Sequence, residues 1–141
     1  MVHQRRRFGN WGEDTAVRYL ERQGYEILDR NYSCAWGELD IVARHWGVVA
    51  FVEVKSRHSL KFGRPAAAVT RTKQLRLRKT AWCYLREHPV FRFRSRFDII
   101  EILDLYGKNF SESFEELFLK IKSGNCQWPI ADGAVACVTA P

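Results

Sequence analysis

Hydrophobic positions along this chain follow two alternating rhythms. Between Trp11 and Gln23, Ala16, Val17 and Leu20 fall on one face at helical spacing, together with Glu13. A helix is expected there, with Asn10 as its N-cap and Gly24 ending it in the left-handed conformation. The period then shortens to two. Tyr25–Tyr32 alternates aromatic and β-branched residues with polar ones, the pattern of a strand. Gly37–Arg44 is a second strand, with Glu38, Asp40 and Val42 on one face and Leu39, Ile41 and Ala43 on the other. Val48–Lys55 is apolar almost throughout, as a central strand would be, with His45, Trp46 and Gly47 supplying the turn before it. Gly63 and Pro65 punctuate a loop from Ser56 to Ala67. A second helix is expected over Thr70–Glu87, with Gln74, Leu77, Ala81 and Leu85 lining its inner face and Pro89 stopping it. Arg96–Leu103 reads as a further strand and Phe110–Ile121 as a helix, while Gly124–Pro141 shows no period and receives no assignment. The order of elements predicts an α/β fold, a mixed sheet flanked by helices. Residues 1–103 form the patterned domain and 104–141 an extension of unknown role.

Charge changes this picture in the middle of the chain. The net charge is +7 overall, but between Val54 and Arg96 thirteen Lys and Arg residues stand against one acid, Glu87. That stretch reads either as a solvated face or as an electrostatic footprint for a polyanion, and its one-sidedness favours nucleic acid. Arg57, Arg71, Lys73, Arg76 and Lys79 are its candidate contacts. No amphipathic helix pairs this basic face with a continuous aromatic stripe, and no apolar run approaches the ~20 residues needed to span a bilayer, which argues against a membrane partner. Met1–Arg7 is basic, but no apolar stretch of a secretory signal follows it. Cys34, Cys83, Cys126 and Cys137 form no CxxC pair and have no His at zinc-ligand spacing, so reduced cytoplasmic thiols are expected. The sequence admits a homodimer without specifying one.

The candidate chemistry lies where the third strand ends. Val48–Val52 leads into Glu53-Val54-Lys55, placing a carboxylate and an ammonium at the close of a buried strand, a costly arrangement unless the charges are paired or metal-bound. If Arg44 pairs with Val49, the same register sets Asp40 opposite Glu53, provided the intervening turn holds an even number of residues. Two acids and the Val54 carbonyl suit Mg²⁺ or Mn²⁺, and Lys55 could then position a water or offset charge on a phosphate. A plain Glu53–Lys55 ion pair is the competing reading. Glu13 has two compatible readings, an active-site acid or the N3 residue of a capping box begun by Asn10. Glu38 is a further ligand or a rim charge. Trp36 and Trp46 flank the acidic strand, where either could touch a nucleic acid.

Several short motifs occur in a recognisable order: Trp11-Gly12-Glu13, Ala16, Tyr19-Leu20, Gly24-Tyr25, Ile27-Leu28, Asn31-Tyr32, Gly37-Glu38-Leu39-Asp40, Phe51-Val52-Glu53-Val54-Lys55-Ser56-Arg57, Lys73 and Arg96-Phe97-Asp98. Over about Phe8–Ile102 the chain thereby resembles the bacterial YraN-like family, a branch of the PD-(D/E)xK superfamily related to archaeal Holliday junction resolvases. The resemblance implies a restriction-endonuclease-like fold and Mg²⁺-dependent phosphodiester hydrolysis on DNA, with branched or damaged DNA among the candidate substrates. By motif, Glu13 matches the first-helix acid, Asp40 the motif Asp, and Glu53 and Lys55 the ExK pair, while Gln74 matches a polar helix residue of some relatives. The region from Asp104 departs from the family pattern. The alternative function is a nucleic-acid-binding module or scaffold with a vestigial site.

Overall fold

The computed structural model describes residues 2–57, 70–89, 94–103, 118–127 and 136–138, with side chains over 9–56, 70–89 and 94–102. The elements follow in the order α1 (Val2–Arg22), β1 (Glu26–Cys34), β2 (Gly37–His45), β3 (Val48–Arg57), α2 (Arg71–Glu87), β4 (Ser95–Leu103), β5 (Phe118–Gln127) and β6 (Ala136–Val138). The strands lie in one sheet in sequence order. β1, β2 and β3 form an antiparallel meander, and β4 joins β3 in parallel. This four-stranded mixed sheet, flanked by two helices, is the α/β arrangement expected, and it is consistent with a restriction-endonuclease-like fold. β5 and β6 continue it in antiparallel fashion.

The helices cover opposite faces. Ala16 and Leu20 of α1 pack with Ile41, Ala43, Ala50, Val52, Ile100 and Ile102. Ala81, Tyr84 and Leu85 of α2 pack with Leu39, Val42, Val49 and Phe51. β3 contributes buried residues to both clusters, which explains its nearly unbroken apolar run.

Four expectations change. α1 begins at Val2, so Asn10 is an interior, exposed residue rather than a cap, and Glu13 is not at the third position of a capping box. The basic residues before Asn10, good helix formers, carry the helix upstream through Gly9. Gln74 is exposed; the inward face of α2 starts with Leu77. Leu39 packs on the α2 side with Val42, not with Ile41 and Ala43. The alternation breaks between Leu39 and Ile41, whose β1 partners Tyr32 and Arg30 flank Asn31, a residue with φ 52°. Asn tolerates that left-handed geometry better than most residues. Finally, Phe118–Ile121, expected as the end of a helix, lies in strand β5, paired along β4; residues 110–117 lie outside the described residues, as does most of the expected loop after β3.

Candidate active site

Trp46 and Gly47 form a two-residue turn between β2 and β3, with φ 51° and 74°. Positive φ at both positions is the type I′ pattern, whose twist matches that of the strands. The even loop produces the expected register, from His45↔Val48 through Arg44↔Val49 to Ile41↔Val52. The ladder stops there, and Asp40 and Glu53 follow one position beyond it. There a side chain takes over from the backbone: the Val54 N–H donates to Asp40 Oδ2 at 2.7 Å. Asp40 thus lies between the β1 segment at Asn31 and β3, to which its carboxylate is clamped.

Asp40 and Glu53 line one cleft of about 430 Å³, together with Trp36, Glu38 and the α2 residues Thr72, Lys73 and Arg76. Their charge states diverge. Burial and the neighbouring Glu53 carboxylate push Asp40 up to about 6, against the Val54 hydrogen bond, and Glu13 adds to the rise. Burial also acts to raise Glu53, but hydrogen bonds from Lys55 and Lys73 outweigh it and hold Glu53 below the usual carboxylate range. Both ammonium groups reach the same oxygen, Glu53 Oε1, Lys55 Nζ at 2.5 Å and Lys73 Nζ at 2.6 Å. Burial would lower Lys73, yet its bond to Glu53 leaves it raised and firmly cationic.

The expected site residues thus distribute unevenly. Asp40, Glu53, Val54 and Lys55 come together. Glu13 stands behind them: its Oε2 lies 4.0 Å from Arg30 Nη2, and Arg30 also binds Asp14 at 2.7 Å. Among the described residues, no group of three or more His, Cys, Asp or Glu side chains is placed to hold a metal ion, so Glu13 does not complete a three-acid cluster with Asp40 and Glu53. Glu38 is exposed on the cleft wall. Arg71, Arg76 and Lys79 are exposed on α2, with Lys79 Nζ 4.0 Å from the ring centroid of half-exposed Trp36. Arg57 ends β3, and its side chain lies outside the described residues. Trp46, in the hairpin turn, is exposed and does not line the cleft.

Lys73 is the main surprise. Counted with the polyanion-facing bases, it is also an internal partner of Glu53. Its position carried a signal: a cation in the first turn of a helix opposes the positive end of the macrodipole, and α2 has no acid in that turn to compensate. Glu53 supplies the missing anion from the sheet. Arg96 is likewise drawn inward, donating from Nε to Asp98 Oδ2 at 2.9 Å and from Nη2 to the Tyr25 hydroxyl. The Arg96-Phe97-Asp98 motif therefore braces β4 against the start of β1.

The donor set suits a hard divalent cation. Asp40 and Glu53 are carboxylates sharing one cleft, and a cation there would offset the burial and the Glu53 repulsion that raise Asp40. The Lys55 and Lys73 ammonium groups compete for Glu53.

Comparison with known proteins matches the same stretch of the chain. The family model described as "Uncharacterised protein family UPF0102" matches residues 12–102. A UPF0102 protein from Syntrophotalea carbinolica is 48% identical over 102 residues, covering 72% of this chain and 83% of the relative. One from Caldicellulosiruptor saccharolyticus is 45% identical over 98 residues, covering 70% and 83%. One from Clostridium perfringens is 43% identical over 115 residues, covering 79% and 89%.

Proposed function

This chain belongs to the uncharacterised protein family UPF0102, and on that premise we propose that it is a metal-dependent nuclease that hydrolyses phosphodiesters of DNA, branched DNA included. The observation that carries the reading is the cleft itself: two carboxylates with opposed charge-state shifts at the end of a buried strand pair, two ammonium groups on one of them, and a basic helix as the facing wall. Asp40, Glu53 and the Val54 carbonyl would hold Mg²⁺ or Mn²⁺. Such an ion supplies Lewis-acid polarisation of a phosphoryl oxygen and a water acidified towards neutrality. Lys55 holds a positive charge where the pentavalent phosphorane would build negative charge, and orients the attacking water. Lys73 restrains Glu53 and keeps it ionised. Arg71, Arg76 and Lys79 neutralise backbone phosphates along α2.

A scaffold function with a silent site has one observation in its favour. Two ammonium groups already neutralise Glu53 without any metal. The readings separate in one assay. Pure protein is incubated with labelled linear, flap and four-way DNA in Mg²⁺ or Mn²⁺, beside Asp40→Asn. Cleavage that disappears in the variant supports the nuclease. Equal residual cleavage in both marks contamination, and DNA binding without cleavage supports the scaffold.

A further inference from the structure

Two cysteines that the proposed chemistry does not use lie together beside the cleft. Cys34 ends β1, two residues before Trp36, and Cys83 sits on α2, three residues after Thr80. Both are half-buried and free. Their thiols hydrogen-bond to one another across the β1–α2 junction. Cys34 Sγ also accepts from the Trp36 N–H at 3.4 Å and from the Gly37 N–H, while the nearby Thr80 hydroxyl donates to the Arg76 carbonyl at 2.8 Å. Two backbone N–H groups and the Cys83 thiol converge on one sulfur, an arrangement that favours the thiolate. Burial acts to raise Cys34, but these bonds outweigh it and leave the thiol below its ordinary value. Cys83 is raised, first by burial and then by its bond to Cys34. The pair is thus asymmetric, with an activated sulfur and a protonated neighbour within hydrogen-bonding reach.

We propose that Cys34 and Cys83 form a redox-active dithiol, oxidised reversibly to a disulfide by low-molecular-weight disulfides such as oxidised glutathione. Cys34 thiolate attacks one sulfur of the oxidant, forming a mixed disulfide and expelling one thiolate. Cys83 then loses its proton to solvent and attacks Cys34 Sγ, expelling the second thiolate. The protein's two thiols are oxidised, and one small disulfide is reduced to two thiols, which take up the protons. The bond ties α2 to the β1–β2 turn. Trp36 of that turn and Gly37 at the start of β2 line the cleft with Lys73, Arg76 and Thr80 of α2, so oxidation locks the two walls together.

The test uses the full chain with Cys126→Ser and Cys137→Ser, leaving one pair of thiols. After equilibration in glutathione buffers of graded ratio, thiols are blocked and the digest is analysed by mass spectrometry without reduction. A Cys34–Cys83 linked peptide should grow with oxidant and disappear on return to reduced buffer. The oxidised protein should melt roughly 5–10 °C higher than the reduced form, as a long closed loop requires. Adding Cys34→Ser should abolish both effects, whereas adding Cys83→Ser should trap glutathione on Cys34. Circular dichroism of each variant checks that the fold persists. Stable glutathione adducts without a linked peptide in the parent protein, or linkage only between molecules, would overturn the proposal. None of these readouts depends on nuclease activity.

Discussion

At the scale of single residues, Asp40 stores a conflict between stability and chemistry. Its carboxyl titrates near 6 in the fold, because burial and Glu53 disfavour the anion. The fold therefore favours the protonated form. That stabilisation is present below the unfolded value near 3.8 and is lost as pH rises through about 6. Asp40→Asn should thus stabilise the metal-free protein at pH 7.5 by on the order of 2–3 kcal/mol, the worth of that shift, with the gain vanishing below pH ~4. Chemical denaturation of both proteins across pH 3.5–8 measures this, and an Asn variant less stable at pH 7.5 would contradict it. The same titration sets metal affinity: Mn²⁺ binding by calorimetry should weaken as pH falls below about 6, where a proton competes for Asp40. Lys73→Ala removes one of two cations from Glu53 Oε1. Mn²⁺ should bind more tightly to it, while cleavage falls by roughly 10–100-fold as Glu53 loses a restraint. Tighter binding with full activity would show that Lys73 is only a competitor.

At the scale of elements, the site depends on how α1 and the β2–β3 hairpin are seated. Gly12 brings α1 against the end of β3: a Cβ there would stand 1.8 Å from Ser56 Oγ and 3.0 Å from Ser56 Cβ. Gly12→Ala must push α1 or Ser56 aside, at a cost of about 1–3 kcal/mol. Urea denaturation should show that loss, and an unchanged midpoint would mean that Ser56 simply rotates away. In the hairpin, a single residue inserted after Gly47 makes the loop odd, and restoring the apolar face then leaves Asp40 and Glu53 out of step. Metal binding should be lost in that variant even where its circular dichroism remains that of the parent.

For the whole molecule, the excess positive charge predicts the mode of binding. Arg76 and Lys79 are exposed beside the cleft, whereas Lys73 and Arg96 are engaged internally. The combined variant Arg76→Glu, Lys79→Glu should weaken DNA binding on every sequence alike and flatten its dependence on salt by roughly two counterions, one for each phosphate no longer neutralised. Fluorescence anisotropy between 50 and 200 mM salt tests this; salt-independent binding would argue against phosphate recognition along α2. No helix among the described residues is long and apolar enough to cross a membrane.

Much of this architecture is legible in the amino-acid sequence alone. Periodicity suffices for the meander, because a strand covered mainly on one face alternates and a central strand covered on both is apolar throughout. The parity of the Trp46-Gly47 turn suffices for the alignment of Asp40 with Glu53, because side chains in a hairpin change face at every residue. The acid pair and its lysine are local in this sense: a single hairpin, Gly37 to Arg57, positions them. What lies beyond the reach of local patterns depends on how distant segments meet. Leu39 packs on the opposite face from Ile41 and Ala43, a break that no alternation pattern encodes. Lys73 reaches Glu53 across the space between α2 and the sheet, and Cys34 meets Cys83 across the same junction. In each case the partner is chosen by how a helix docks on a sheet, and docking is decided by the packing of both surfaces together.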